Sequence, residues 1–221
     1  MSQQPAESLA DRPPPVGAGR IAGVVFDMGG VLTVDPYEPL REYAAKLGLP
    51  ADTFVDQLRT AHFGAVETGE STMRDYLKFA CTDVQSRFGV RVDIHLLADA
   101  LAAGQQVRPE MVRLVSDLVT RGVQIGLLTN NVREARAWWN SGVLPVESFA
   151  AVIDSSEVGV RKPDPKVFSI AAERLGYPAG QLLFFDDTPD NVDGAQNAGM
   201  IAALFTDAGE CRRVCERHGL L

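Results

Sequence analysis

Three stretches of the chain are nearly unbroken apolar runs: "IAGVVF" at 21–26, "VQIGLL" at 123–128, interrupted only by Gln124, and "LLFF" at 182–185. Runs without polar alternation predict strands buried on both faces of a parallel sheet. Weaker runs, "AAVI" at 150–153 and "IAALF" at 201–205, predict two more. Between them the apolar spacing becomes helical. Residues 109–121 begin with Pro109, set Val112, Val115, Leu118 and Val119 on one side, and stop at Gly122. Residues 164–175 repeat the plan with Val167, Ile170, Ala171 and Leu175 and end before Gly176 and Pro178. Strands alternating with helices imply right-handed βαβ units, hence an α/β fold with a doubly wound, mainly parallel Rossmann-like sheet.

The alternation breaks once. From Tyr37 to Val107 the patterns are all helical: "EPLREYAAKLG", "ADTFVDQLRTAHF", "STMRDYLKFACTDVQSRFG" and "DIHLLADALAAG". They predict a small helical insert at 37–107 after the first strand, with 21–36 and 108–221 forming the α/β core. Residues 1–20 hold Glu7, Asp11 and a proline triplet but no apolar core, so they read as a flexible tail rather than a signal peptide.

Composition narrows the function classes. With 46% hydrophobic and 23% charged residues in 221, the chain is an ordinary globular protein, and no run nears the roughly 18 apolar residues of a membrane span. A net charge of -8 without any basic run argues against nucleic acid and anionic membranes as partners. An anionic substrate would need local positive charge from a lysine or a metal ion. Cys81, Cys211 and Cys215 are an odd set without CxxC spacing, which encodes neither a disulfide framework nor a zinc site and fits a reducing cytoplasm.

Each of the three strongest strands runs into polar residues: Asp27 after the first, Thr129, Asn130 and Asn131 after the second, Asp186 and Asp187 after the third. Ligands of open α/β sheets bind along that edge. Any one of these residues has an ordinary turn or cap reading, but all three ends together, with Lys162 entering a helix in "VGVRKPDPKVF", point to a site. The order Asp, Thr, Lys, paired acid resembles the haloacid dehalogenase superfamily, whose members mostly hydrolyse phosphate esters. Its four motifs stand here as "VVFDMGGVLT", "LLTNN", "RKPDPKVF" and "FFDDTPDN", spanning 24–191. The helical insert takes the place of that family's cap. Its "FGAVETGEST" resembles a cap sequence of the subgroup related to the amino-terminal phosphatase domain of soluble epoxide hydrolases.

The chemistry and the resemblance assign the same roles. Phosphoryl transfer needs a nucleophile, neutralisation of the phosphoryl oxygens and an aligned leaving group. Asp27 suits the nucleophile, forming an aspartyl phosphate. A carboxylate repels a phosphate dianion unless a cation intervenes, and Asp27, Asp187 and the Gly29 carbonyl offer the hard oxygens that Mg²⁺ prefers, with Asp186 the alternative within the acid pair. Lys162 and Thr129 complete the catalytic set, Asn130 and Arg161 are expected on the phosphate, and Asn191, one turn into the helix that Thr188 caps, would steady the acids from behind. The substrate expected is a small phosphorylated metabolite, met on the insert's side by Tyr37, Phe63, Glu67 and Thr68. His62, His95 and His218 read as surface or packing residues, though His62 could face the substrate, and Trp138 with Trp139 reads as packing.

One position departs from the resemblance. Most phosphatases of that superfamily carry a second Asp two residues after the nucleophile, where its side chain serves as acid and base; here that residue is Gly29. A positioned acid or base contributes roughly 10² to 10⁴ in rate. Gly29 therefore implies a substrate that leaves easily, a stand-in for the acid, or low turnover, and it counts against a phosphomutase. Metal-independent dehalogenases of the same superfamily also lack that Asp, but the pair Asp186 and Asp187 would crowd an uncompensated nucleophile. A catalytically weak domain kept for ligand binding or interaction is the other alternative.

Overall fold

The computed structural model describes residues 20–104, 106–136 and 144–221. The expected tail apart from Arg20, and the pair Trp138 and Trp139, lie outside the described residues. Five parallel strands form one sheet in the order β3-β2-β1-β4-β5. They are β1 (Gly23–Phe26), β2 (Gln124–Thr129), β3 (Ala151–Asp154), β4 (Leu182–Asp186) and β5 (Ile201–Leu204). All five expected strands are present, with ends shifted by one or two residues.

The unbroken apolar runs follow from burial on both faces. Val24, Phe26, Ile125 and Leu127 meet helices α6 (Pro109–Thr120) and α10 (Ala208–Arg217). Val25, Leu128 and Phe184 meet α8 (Pro165–Leu175) and α9 (Pro189–Asn197) on the other face. Within α6 the buried residues are Met111, Leu114, Val115 and Leu118, whereas Val119 is exposed. The helix is turned so that Met111 and the two leucines fill the groove beside Val115, while Val112 and Val119 fall at its rim. A short helix, α7 (Ser155–Val158), follows β3 directly.

Between β1 and α6 lie five helices and, among the described residues, no strand: α1 (Glu38–Lys46), α2 (Thr53–Leu58), α3 (Ala61–Glu67), α4 (Met73–Phe88) and α5 (Ile94–Ala103). They enclose their own apolar cluster, including Leu40, Phe54, Tyr76, Ala80 and Leu97. The pattern at 51–63 yields two helices rather than one. Thr60 leaves the helical region at ψ 161°, and its hydroxyl donates to the Gln57 carbonyl at 2.7 Å, a local bond that competes with helix continuation. The two passages joining these helices to the sheet run side by side, bridged between Thr33 and Val107, with Val34 donating to the Gln106 carbonyl at 2.8 Å. No helix among the described residues is long and apolar enough to cross a membrane.

Candidate active site

The chain winds in opposite directions from β1, to β2 and β3 on one side and to β4 and β5 on the other, so the carboxyl end of β1 is the switch point where such sheets bind ligands. Asp27 stands there, buried, its amide continuing the ladder to the Phe185 carbonyl at 2.9 Å. Next comes a wide turn over Met28–Leu32 that closes on Thr33, whose amide and hydroxyl both donate to the Met28 carbonyl.

The two glycines of this turn differ. Gly30 lies at φ 77°, and a Cβ on it would overlap the Asp187 carboxylate, so only glycine fits. Gly29 has φ -69° and ψ 125°, open to any residue, and a Cβ there would meet only Pro36 Cγ at 3.8 Å. The space for an acid at position 29 exists; the acid does not.

Lys162 draws the segments together. Its ammonium, 1% exposed, donates to Asp27 Oδ1 and Asp186 Oδ2, each at 2.6 Å, and to the Leu128 carbonyl at 3.0 Å. Asn130 fixes the lysine from behind: its side-chain amide donates to the Lys162 carbonyl at 3.0 Å and accepts from the Lys162 amide at 2.8 Å. The hydroxyl of buried Thr129 lies 3.5 Å from the Asn130 carbonyl.

The acid pair divides its work. Asp186 is fully buried and committed, with Oδ2 on Lys162 and Oδ1 accepting from the Thr188 amide at 2.9 Å and from Asn191 at 3.0 Å. Asn191, expected behind the acids, bonds Asp186 alone of the pair. Asp187 is exposed, and Thr188 turns its hydroxyl to Asp187 Oδ1 at 3.3 Å. Thr188 occupies the expected cap position before Pro189, yet its side chain makes no capping bond to the helix, because its hydroxyl is spent on that acid.

Oxygens of Asp27, Asp186 and Asp187 all lie within 4.8 Å of one another. Burial raises the Asp27 carboxyl above the usual range against the pull of Lys162, and the charges of Asp186 and Asp187 add to the rise. Although Asp187 is exposed as a residue, crowding of its carboxyl away from water and then the charge of Asp186 raise it above the usual range. Burial works against the Lys162 ammonium too, but the charges of Asp186 and Asp27 and its bonds to both hold it above the ordinary lysine value. The directions agree physically: one ammonium serves three carboxylates, so the lysine keeps its proton and the acids bear an excess of negative charge. A cluster of hard oxygens with surplus charge fits a small divalent cation such as Mg²⁺.

From the insert, Tyr37 and Glu67 reach toward these groups. Burial, then the charges of Asp187, Asp27 and Glu67, push the Tyr37 hydroxyl up to about 12. Glu67 is buried at the end of α3 with Oε2 at 2.8 Å from Arg161 Nη1. Burial lifts it to about 7 although Arg161 and Lys162 pull it down. Phe63 instead packs edge-on against Tyr76 in the insert's cluster, and the Thr68 hydroxyl bonds the Gly64 carbonyl within its own helix. His62 stacks on Phe79, a packing role.

Sequence reading missed Arg108. Its guanidinium donates to the Thr33 carbonyl at 3.0 Å and the Gly30 carbonyl at 3.4 Å, and lies over the Phe205 ring, tying down the turn after Asp27. A lone arginine between two helical patterns carries no periodic signal that would mark it.

A family model described as haloacid dehalogenase-like hydrolase matches residues 21–199. The chain is 32% identical over 210 residues to Phosphatase MT3486 of Mycobacterium tuberculosis, covering 87% of this chain and 90% of that protein. It is 24% identical over 215 residues to Bifunctional epoxide hydrolase 2 of Sus scrofa, covering 89% of this chain but 38% of that longer protein. Among solved structures, a HAD family enzyme from Bacteroides thetaiotaomicron in complex with magnesium and inorganic phosphate superposes with a TM-score of 0.64 at 22% identity, over 86% of this chain and 96% of that one. That likeness concerns the fold.

Proposed function

The chain belongs to the haloacid dehalogenase-like hydrolases, and from that premise we propose that it is a Mg²⁺-dependent phosphatase that hydrolyses a small phosphorylated metabolite through an aspartyl phosphate on Asp27. One observation carries the reading: the Lys162 ammonium is shared at 2.6 Å between the carboxylate ending β1 and the buried acid ending β4. Asp27 Oδ2 attacks phosphorus while Oδ1 stays on Lys162, which keeps the carboxylate aimed and spreads positive charge toward the phosphoryl oxygens. Thr129 at the end of β2 donates its hydroxyl to those oxygens, and Asn130 serves the phosphate indirectly by holding Lys162. Asp187, the Gly29 carbonyl and the Asp27 oxygen that does not attack phosphorus would hold Mg²⁺, since Asp186 is fully buried with three donors already on its two oxygens. When bound, the ion supplies charge neutralisation for the acids and the phosphate dianion.

The helices at 37–107 act as a cap whose closure excludes water and whose Tyr37 faces the substrate. The alignments to a phosphatase and to an epoxide hydrolase support kinship with the subgroup that "FGAVETGEST" resembles. Three carboxylates around one ammonium speak against a metal-free dehalogenase. The test is to trap the intermediate: acid quenching of a reaction with acetyl phosphate and Mg²⁺ should leave one phosphoryl group on the peptide containing Asp27, and a phosphoryl group on any other residue would refute the assignment.

A further inference from the structure

We propose that Arg161 and Glu67 are positioning residues that couple docking of the helical insert to the placement of Lys162 against the nucleophile. This rests on the phosphatase reading. The Arg161 guanidinium stands at the joint between the insert and the sheet edge. Its Nη1 lies 2.8 Å from Glu67 Oε2 at the end of α3, and its Nε donates to the Lys162 carbonyl at 3.4 Å. That carbonyl also accepts from Asn130 at 3.0 Å, while Asn130 Oδ1 accepts from the Lys162 amide at 2.8 Å. The Lys162 ammonium in turn donates to Asp27 Oδ1 at 2.6 Å. A chain of polar contacts therefore runs from the insert, through the backbone of Lys162, to the carboxylate that attacks phosphorus.

The stretch "FGAVETGEST" is shaped for this joint. Gly64 lies in the middle of α3, where glycine costs about 1 kcal/mol relative to alanine, and a Cβ on it would sit 2.8 Å from Arg161 Nη1. Gly69, in the turn after α3 at φ 75°, meets the core as closely: a Cβ there would sit 2.6 Å from both Arg133 Nη2 and the Ser156 carbonyl oxygen. Without side chains at 64 and 69, α3 seats against the core, and Glu67 between them reaches Arg161. Glu67 Oε2 is buried without an aligned donor, so the ionic contact is what offsets its loss of water. The Arg161 side chain is 35% exposed, so lifting the insert hydrates both charges and offsets the lost attraction. Such a pair latches without locking. Once it opens, the Lys162 carbonyl is left to Asn130 alone.

The experiment measures kcat and KM for p-nitrophenyl phosphate, and competitive inhibition by inorganic phosphate, at about pH 8, where Glu67, lifted by burial to about 7, is ionised. Arg161→Met should lower kcat about tenfold and Glu67→Gln about threefold, with KM and phosphate inhibition within about twofold of native. The two together should be no slower than Arg161→Met alone, because they break one contact. Gly64→Ala pushes the guanidinium aside while keeping both charges. Its methyl favours the helix, so the variant should melt no lower than the native protein yet lose about threefold in kcat, and lose nothing more once Arg161 is Met. Raised KM and weakened phosphate inhibition in Arg161→Met, at native kcat, would put Arg161 on the phosphate and overturn the proposal. Native kcat in Gly64→Ala, or losses that multiply in the double variants, would overturn it as well. Should Arg161→Met fail to fold, native kcat in both Glu67→Gln and Gly64→Ala overturns it instead. Each of these outcomes leaves the phosphatase reading intact, whereas a wild type that releases no phosphate from the ester would overturn that reading itself.

Discussion

Substituting Gly29 by Asp should add an acid to the site without disturbing the fold. The backbone at position 29 is ordinary for an L-residue, at φ -69° and ψ 125°, and the nearest atom to the new Cβ is 3.8 Å away. Removing glycine's freedom from the unfolded chain favours the folded state by about 0.4–1 kcal/mol, offset by one more carboxylate near three others. Thermal stability should therefore change little. Catalysis should change more, because a positioned acid contributes roughly 10² to 10⁴ in rate, about 2.7–5.4 kcal/mol of barrier. The gain on glycerol 3-phosphate, whose leaving group needs a proton, is therefore expected at about 10²-fold or more. Turnover of p-nitrophenyl phosphate should move by less than about threefold, since its leaving group asks for no acid. The assay is phosphate release under saturating Mg²⁺. Unchanged turnover of the alkyl ester, in a variant that melts like the native protein, would refute the idea that the missing side chain limits poor leaving groups.

Two further substitutions test how the site is held. Lys162→Met leaves the carboxylates of Asp27 and Asp186 buried without the ammonium that sits 2.6 Å from each, so the metal-free variant should lose about 3–5 kcal/mol in denaturant unfolding, and Mg²⁺ should return part of it; unaltered stability without metal would contradict the network. Gly30→Ala forces a left-handed residue at φ 77° and drives a methyl group into Asp187, so it should cost at least about 1–2 kcal/mol and raise the Mg²⁺ concentration needed for half-maximal activity; a variant with native Mg²⁺ response would show that Asp187 does not serve the metal.

The parts of this protein that the sequence made legible are those set by local pattern. The apolar runs of β1, β2 and β4 betray strands covered on both faces, and their carboxyl ends deliver Asp27, Thr129, Asp186 and Asp187 to one edge because a parallel sheet aligns those ends. What stayed hidden depends on partners far along the chain. Asn130 looked like a phosphate ligand, and its amide turns out to grip the backbone of Lys162. Arg108 has no pattern of its own, and the pairing of Glu67 with Arg161 exists only once α3 packs over the sheet edge. Periodicity also misjudged the buried side of α6, where shape in the groove selects Met111 and Leu114 and leaves Val119 outside. Of the two adjacent glycines, Gly30 is the one the backbone requires, and Gly29 is a choice about chemistry.

The central claim is that Asp27, held by Lys162, is a phosphoryl-transfer nucleophile that works with Mg²⁺. Phosphate release from acetyl phosphate and p-nitrophenyl phosphate, measured with Mg²⁺ and with excess chelator for the native protein and for Asp27→Asn, tests it most directly. The account predicts release by the native protein that chelator abolishes and Asp27→Asn lacks. Release that survives in Asp27→Asn, or that proceeds equally without Mg²⁺, would contradict it.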